Sequence, residues 1–315
     1  MEEHSERVFT SEVTLTMSNA QGSSDNDGIE QETMFAFSCP PHLLPKEAIQ
    51  SDSEAFEYDS DGDLDVPRRR TKEVDGACEE TDMRLRIFHW KSSTVEEVGR
   101  QVWRGALYLA DFFLSGAIAI EDETLFEIGC GCGLTAIVAG ICNGERVVAS
   151  DLERNIALAK KNLDVNSGLL QRGRGVHLIP FDVIDDIGRV PEELSGASLV
   201  YGADVVYDDD LSDAIITLME KLLITHPMLE RRRFLFSVER RFVFTIKDLR
   251  TVAHAFEYFM EKMREKFLEE GGRVRATYDV KVEVMGGDKI TQTFCYERSP
   301  DVALIMVDAR LKPKR

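Results

Sequence analysis

The feature that most constrains the fold is a regular alternation of strand-like and helix-like stretches between residues 124 and 239. Short apolar runs such as L-F-E-I-G, R-V-V-A-S-D and V-H-L-I-P-F-D alternate with stretches whose apolar residues recur at helical spacing. Strands that alternate with helices in this way form a parallel sheet covered by helices on both faces. The sequence therefore predicts an α/β fold with a doubly wound sheet.

Two patterns flank this alternation. Before it, R-L-R-I-F-H-W (84–90) alternates like a strand, and apolar positions 98, 102, 106, 109 and 113 predict a continuous helix. After it, we predict a long helix at about 245–269, followed by strands within 273–284 and 302–307. This closing strand pair predicts an antiparallel addition at one edge of the sheet.

The first 80 residues have a different composition from the rest. They contain 20 acidic and 6 basic residues, a net charge of −14 out of −19 for the whole chain. Residues 18–34 and 50–80 are polar and poor in aromatic residues, which predicts mobile segments, whereas alternating apolar residues suggest a strand near 8–17. We therefore predict a largely flexible acidic extension, 1–80, and a domain spanning 81–315.

Charge and cysteine usage narrow the partners and the compartment. No basic face for direct nucleic acid binding stands out, and no apolar run approaches the length of a membrane helix. The six cysteines lack framework spacing, as expected of reduced intracellular thiols. P-R-R-R-T-K (67–72) is either a short nuclear-import signal or a basic patch. We expect a monomer in the nucleus, the cytoplasm or both.

One acidic stretch imitates a metal site. E-Y-D-S-D-G-D-L-D (57–65) matches the start of a calcium-binding EF-hand loop. The twelfth position is Arg68, where a bidentate glutamate is required, and no helical pattern flanks the stretch. We interpret it as a solvated linker and predict no metal site.

The stretch E-I-G-C-G-C-G (127–133) lies where a strand gives way to a helix, and ligands bind at such strand ends in doubly wound sheets. A metal or redox site at Cys130 and Cys132 would need a second ligand pair or C-x-x-C spacing. The dinucleotide fingerprint G-x-G-x-x-G fails because Leu134 occupies its third glycine position. We interpret the cysteines as small loop residues and the glycine spacing as the informative feature.

E-x-G-x-G-x-G at the opening of an α/β sheet resembles motif I of the seven-stranded methyltransferases. The resemblance implies a Rossmann-like, mostly parallel seven-stranded sheet with S-adenosylmethionine as cofactor. It implies that Glu127, Gly129 and Gly131 hold the methionine end of the cofactor. It also implies that Asp151, at the end of the next strand, binds the ribose hydroxyls, although an acid there suits any nucleoside cofactor.

The second informative stretch is A-D-V-V-Y (203–207), just past another strand end. Methyltransferases of exocyclic base amines resemble [N/D]-P-P-[Y/F/W] at this point, and this chain has no proline here. D-x-x-Y instead resembles the lysine-directed protein methyltransferases of family 16. The resemblance implies that Asp204 and Tyr207 are catalytic, that Tyr207 also contacts substrate, and that Ala203 contacts the cofactor.

Further stretches support this family. V-W-R-G-A-L-Y-L resembles its W-x-x-A/G-x-x-L helix, which makes Trp103 a cofactor residue, although the pattern also fits a core position. K-N-L-D-V-N (161–166) matches its N-x-x-x-N helix end. The family usually has D-W after the third strand; here Asp182 keeps the acid, and Val183 replaces the residue that lies against adenine. Glu239, at the end of the fifth strand, is either a substrate-binding residue or a surface charge paired with an adjacent arginine.

These observations predict an S-adenosylmethionine-dependent methyltransferase that modifies a lysine of a protein substrate, such as a basic nuclear protein. We expect Asp204 to position groups rather than act as a base, because a carboxylate beside an amine raises the pKa of the amine. Two alternatives remain open. One is methylation of RNA or a small molecule, and the other is a non-catalytic binding protein with the same fold.

Overall fold

In the computed structural model, the described residues are 9–11, 13, 30–40, 43, 82–120, 123–142, 146–170, 175–226, 229–245, 250–286 and 289–313. The acidic stretch 57–65 and the basic stretch 67–72 lie outside these residues, as does most of 18–34. Among the described residues, no helix has the length and apolar character needed to cross a membrane.

Strands and helices alternate along the chain as the sequence predicts. The strands are β1 Glu30–Ser38, β2 Asp82–Trp90, β3 Thr124–Ile128, β4 Arg146–Asp151, β5 Val176–Pro180, β6 Leu199–Ala203, β7 Arg231–Glu239, β8 Val243–Thr245, β9 Arg250–Val252, β10 Tyr278–Gly286 and β11 Val302–Leu311. The helices are α1 Arg104–Leu114, α2 Leu134–Ile141, α3 Glu153–Val165, α4 Glu192–Ser195, α5 Asp209–Ile224, α6 His254–Phe267 and α7 Arg273–Thr277, with 3-10 turns at Val95–Arg100 and Ser167–Leu169.

The central sheet has seven strands in the order β10-β11-β7-β6-β3-β4-β5. Strands β7, β6, β3, β4 and β5 are parallel, and β11 runs antiparallel to both of its neighbours. This confirms the prediction of a mostly parallel seven-stranded sheet with an antiparallel addition at one edge. The chain moves outward from β3 to β5 and then returns to β6 on the other side of β3. The strand order therefore reverses at β3, where doubly wound sheets bind their ligands.

Apolar residues on the two faces of the sheet form separate cores. Because side chains alternate along a strand, Leu125 of β3 joins one core with α1 and α2, and Phe126 joins the other with α5 and α6. The predicted helices on both faces are confirmed.

A ribbon formed by β1 and β2 packs beside the sheet, with Glu30 opposite Trp90 and Ser38 opposite Asp82. Residues 30–34 lie in this strand, although their polar sequence predicted a mobile segment. The reason is that Phe35 and Phe37 are buried against Phe294, which anchors β1. The division between an extension, 1–80, and a domain, 81–315, stays a prediction.

Helix α3 is attached to β2 by two buried asparagines. The Asn162 side chain accepts from the Phe88 N–H and donates to the Phe88 carbonyl, and Asn166 does the same with Arg86. Four residues apart, these amides lie on one helix face and satisfy the backbone of β2 as a neighbouring strand would. The N-x-x-x-N helix end is therefore a structural connection.

Four predicted elements differ in the structure. The helix predicted over 98–113 is interrupted at 101–103, because buried Gln101 hydrogen-bonds outside the helix, and α1 begins at Arg104. The helix predicted at 245–269 begins only at His254, after the β8–β9 pair. The strand predicted within 273–284 is preceded by α7. Of the strand predicted near 8–17, Phe9 forms an isolated bridge with Ser93 and Val13 is helical.

Candidate active site

A cavity of about 540 Å³ lies at the carboxyl ends of β3, β4, β5 and β6. Its walls come from the loops that follow these strands, together with the 3-10 turn Val95–Arg100 and the start of α1. The cavity therefore occupies the point where the strand order reverses. Its volume is typical of a small-molecule or cofactor site.

The glycine loop after β3 forms the floor of the cavity. Gly129 and Gly131 have φ angles of +67° and +54°, a backbone region that side chains rarely allow. A Cβ atom on Gly131 would lie 2.5 Å from the carbonyl oxygen of Gly99, and one on Gly129 would lie 2.8 Å from Val205. Gly129 lines the cavity, whereas Gly131 permits the close packing of the 3-10 turn.

Asp151 connects this loop to the end of β4. Its Oδ2 accepts from the Gly131 N–H at 2.6 Å, and its Oδ1 accepts from the Leu152 N–H and the Asn155 amide, each at 2.7 Å. Burial raises the pKa of Asp151, while these three donors oppose that rise. The Asp151 carboxylate is thus buried, receives three hydrogen bonds and lines the cavity.

Glu127 does not line the cavity. Its side chain is fully buried, and its Oε1 accepts from the hydroxyl of Thr135 in the first turn of α2. Burial raises the pKa of Glu127 to about 8. Glu127 reaches the cavity through Thr135, which does line it, and its predicted role in holding the methionine end of the cofactor stays a prediction.

The two cysteines of the loop are buried. Burial and the neighbouring Asp151 carboxylate raise the thiol pKa of both Cys130 and Cys132. Their thiols are therefore neutral and poorly reactive at physiological pH. This agrees with their interpretation as small residues in a tight loop.

The loop after β5 forms the opposite end of the cavity. The Asp182 Oδ1 accepts from the backbone N–H groups of Ile184 and Asp185, which fixes the loop. Val183 and Phe181 are buried and line the cavity beside it. The surface where the family usually has tryptophan is therefore aliphatic at Val183.

Asp204 joins three elements at the rim. It is the only described non-glycine residue with a positive φ, at +53°. Its Oδ2 accepts from the Gly105 N–H in the first turn of α1 at 2.8 Å, and its Oδ1 accepts from the Glu239 N–H at 2.9 Å. A Cβ on Gly105 would lie 2.5 Å from this carboxylate. Asp204 therefore holds α1 and the end of β7 against the end of β6.

Glu239 forms an ion pair with Arg104 of α1. Its Oε1 accepts from Arg104 Nη1 at 2.8 Å, and the side chains of both partners are largely buried. Glu239 does not line the cavity. Glu239 lies beside Asp204, where both stabilise α1, and its predicted role in substrate binding stays a prediction.

Trp103 and Tyr207 lie at the opening of the cavity. The Trp103 indole N–H donates to the Val98 carbonyl at 2.8 Å, and the Arg241 guanidinium lies 4.8 Å from the centre of its ring. Tyr207 is 45% exposed. Burial of its hydroxyl and the nearby carboxylates of Asp151 and Asp208 raise the pKa of Tyr207.

Seven of the ten residues predicted for the site line one cavity: Trp103, Gly129, Asp151, Asp182, Ala203, Asp204 and Tyr207. Phe9, Gln101 and Arg241 also line the cavity, although the motifs in the sequence did not predict them. Of these three, only Arg241 could have been predicted, because it follows the end of β7 and therefore lies at the ligand-binding edge of the sheet. Among the described residues, no group of three histidine, cysteine or acidic side chains is arranged to hold a metal ion.

The fold and the cavity define a class of protein. Glycines with positive φ, a buried carboxylate at the end of β4 and a second carboxylate after β5 form a cavity that fits S-adenosylmethionine. This is the arrangement of an S-adenosylmethionine-dependent methyltransferase. A family model described as lysine methyltransferase matches residues 81–266. The chain belongs to this family.

Several individual proteins are similar to this chain. Methyltransferase-like protein 22 of Mus musculus is 27% identical over 85% of this chain and 80% of its own, and that of Homo sapiens is 31% identical over 64% and 60%. Electron transfer flavoprotein beta subunit lysine methyltransferase of Homo sapiens is 25% identical over 54% and 57%. A solved structure of magnesium protoporphyrin IX methyltransferase from Synechocystis PCC 6803 matches at 14% identity and a TM-score of 0.39, covering 65% of this chain and 77% of that chain.

Proposed function

We propose that this cavity holds S-adenosylmethionine and that the target lysine of a protein substrate enters at Tyr207. The observation that carries the proposal is that Tyr207 lies half-exposed at the opening of the cavity whose inner walls are Gly129, Asp151 and Asp182. A flexible lysine side chain can reach this opening from a protein surface. When bound, the cofactor supplies a methyl group activated by a sulfonium centre.

Different residues of the cavity are proposed to contact different parts of the cofactor. We assign the ribose hydroxyls to Asp151 and the adenine end to Asp182 and Val183, with Gly129 and Ala203 providing close backbone approach. Val183 offers adenine an aliphatic surface in place of an aromatic one. We therefore expect weaker stacking on this side than in relatives that have tryptophan there.

The site must present a neutral amine. A free lysine has a pKa of about 10.4, so roughly one amine in a thousand is neutral near pH 7.4. Desolvation lowers the pKa of the lysine, and the apolar walls at Val205 and Trp103 provide such surroundings. Asp208, at the opening, attracts the incoming ammonium group before it loses its proton.

Neither predicted catalytic residue acts as a base in this proposal. The Tyr207 hydroxyl stays protonated, because its pKa is raised, and its oxygen accepts a hydrogen bond from the amine and orients the lone pair. Both carboxylate oxygens of Asp204 already accept backbone N–H groups. Asp204 is therefore a positioning residue that keeps Trp103 and Tyr207 at the proper distance across the cavity.

The experiment follows transfer of tritium from labelled S-adenosylmethionine to proteins of a cell lysate. Tyr207→Phe loses one oriented hydrogen bond and is expected to lower turnover about tenfold, with unchanged cofactor affinity by calorimetry. Asp204→Asn replaces one carboxylate oxygen by an amide group, which cannot accept from the N–H of Gly105 or Glu239. This variant is expected to lower turnover while the protein stays folded. Wild-type turnover in both variants would contradict these roles. Label that RNase removes and protease does not would contradict a protein substrate.

The substrate segment is proposed to be basic, and the enzyme to act in the nucleus, the cytoplasm or both. The net charge of −19 and the carboxylates of Glu96, Asp182 and Asp208 at the cavity support a basic partner. Such attraction weakens with salt. Initial rates on a lysine-containing basic peptide and on a neutral peptide, compared between low and high salt, test this point. Equal salt dependence of the two rates would contradict it.

A further inference from the structure

Residues 9–11 approach the cofactor cavity from outside the family match, which begins at residue 81. Phe9 lines the cavity. Its backbone forms an antiparallel bridge with Ser93, in which each residue donates its N–H to the carbonyl of the other at 2.8 and 2.9 Å. This bridge holds Phe9 beside the 3-10 turn Val95–Arg100, which lines the same cavity.

The side-chain amide of Gln101 fastens this segment. Its Oε1 accepts from the Ser11 N–H at 2.7 Å, and its Nε2 donates to the Phe9 carbonyl at 3.0 Å and to the Ser93 hydroxyl at 2.6 Å. These contacts determine the orientation of the amide, because its oxygen faces a donor and its nitrogen faces two acceptors. Gln101 also lines the cavity, but its polar atoms are used by the segment.

The burial of the contacting groups shows that this attachment is a formed part of the structure. Gln101, Ser11 and Ser93 are all buried, and Val13, two residues further on, lies in the apolar core. Phe9 itself is 38% exposed. An apolar ring in this position is held against a ligand cavity while part of its surface stays in water, so a ligand that covers the ring gains free energy from its burial.

We propose that Phe9 is a cofactor-binding residue, supplied to the site by the N-terminal segment, and that Gln101 is the residue that positions it. This inference rests on the proposed function, since it takes the cavity to be the S-adenosylmethionine site. It assigns a binding role to residues that precede the family match.

The first test measures binding of S-adenosylhomocysteine to the full-length chain by calorimetry. Phe9→Ala is expected to weaken binding about five- to tenfold, and Phe9→Leu to weaken it less, because leucine keeps much of the apolar contact. Leu311→Ala is the matched control: Leu311 is 37% exposed and does not line the cavity. Its affinity should equal that of the wild type.

The second test separates positioning from general stability. Gln101→Glu keeps the shape of the side chain and can accept from the Ser11 N–H, but it cannot donate to the Phe9 carbonyl. We expect a loss of affinity similar to that of Phe9→Ala, and no further loss in the double variant, because both changes remove the same contact. Hydrogen exchange at the amides of Phe9 and Ser11 should slow when ligand binds to the wild type and should slow less in Gln101→Glu.

The outcomes are distinct. If the wild type binds S-adenosylhomocysteine and Phe9→Ala binds it equally well, the inference is overturned and the proposed function stands. If losses from Phe9→Ala and Gln101→Glu simply add, the positioning role of Gln101 is overturned. If the wild type does not bind S-adenosylhomocysteine, the proposed cofactor site itself is wrong.

Discussion

Burial and hydrogen bonding together determine the pKa of the acidic residues at the strand ends. Asp151 is buried but receives three hydrogen bonds, and it faces the cavity. Glu127 is buried one strand away and receives a hydrogen bond from Thr135. Its pKa rises to about 8, so it is largely protonated at neutral pH. The acid of motif I therefore acts as a neutral hydrogen-bonding group beneath the loop.

This protonation predicts a pH-dependent stability. Because the pKa of Glu127 in the folded protein exceeds its usual value of 4.5, the folded state binds more protons than the unfolded state between about pH 4.5 and 8. The contribution of Glu127 to the free energy of unfolding therefore falls as pH rises through this window, by up to about 1.4 kcal/mol per pH unit.

Glu127→Gln should remove this pH dependence and stabilise the protein near pH 7.5. Glutamine keeps an acceptor for the Thr135 hydroxyl and no longer titrates. Urea unfolding of both proteins at several pH values between 5 and 8 measures the difference, and other titrating groups cancel in the comparison. A difference in unfolding free energy that stays constant across this range would show that Glu127 is ionised in the folded state.

At the same scale, the sequence could predict the residues whose position follows from topology. Gly129, Asp151 and Asp182 all follow strands, and parallel strands place their carboxyl ends at one edge. Phe9 and Gln101 could not be predicted, because they meet through a contact between distant parts of the chain. The burial of Glu127 could have been predicted from the sequence, because side chains alternate along a strand and Glu127 lies on the same face as Leu125, opposite to Phe126.

At the scale of elements, the ribbon of β1 and β2 depends on a buried histidine. His89 of β2 makes hydrogen bonds through Nε2 with Thr33 and Gln31 of β1, at 2.8 and 3.2 Å. Burial lowers the pKa of His89 to about 4. The folded protein therefore keeps this imidazole neutral well below the pH at which an exposed histidine gains its proton.

Acid should weaken this ribbon. Between about pH 6.5 and 4 the unfolded state binds more protons at His89 than the folded state, so the stability it contributes is lost as pH falls through this window. The sign is opposite to that for Glu127. His89→Gln should abolish the loss, because glutamine retains donors and acceptors for Thr33 without titrating. The difference in unfolding free energy between variant and wild type should grow from pH 7 to pH 4.5. A constant difference would contradict the neutral state of His89.

Element types were predicted well wherever a helix or strand lies within the alternating sheet, because burial enforces the periodic pattern. The errors fall in connections. The break before α1 arises because the Gln101 amide serves residues 9, 11 and 93, and the late start of α6 follows the short β8–β9 pair. In both places tertiary contacts override a local pattern that continues unbroken in the sequence.

At the scale of the whole molecule, strands lie outside the family match on both sides of it: β1 precedes it and β10 and β11 follow it. The match ends at residue 266, whereas β10 and β11 follow it. Strand β11 covers β7 along its length, from Val302 opposite Glu239 to Arg310 opposite Arg231. In the same core as Val302 and Leu304 of β11, β1 packs Phe35 and Phe37 against Phe294 of the β10–β11 connection. The two terminal parts therefore stabilise each other as well as the centre.

A fragment limited to residues 81–266 is therefore expected not to fold cooperatively. Without β11, strand β7 becomes an exposed edge, with buried residues such as Phe234 and Phe236 left uncovered, an arrangement that promotes aggregation. Each such side chain contributes roughly 1.5–3 kcal/mol on burial, so the loss of several is comparable to the stability of a typical domain. Size-exclusion chromatography and thermal melts of 81–266, 81–313 and the full chain measure this. We expect the 81–266 fragment to aggregate and the full chain to unfold in a single transition. The 81–313 fragment should have a lower melting temperature than the full chain, because β1 is missing. A monomeric 81–266 fragment with the melting temperature of the full chain would show that the central strands are sufficient.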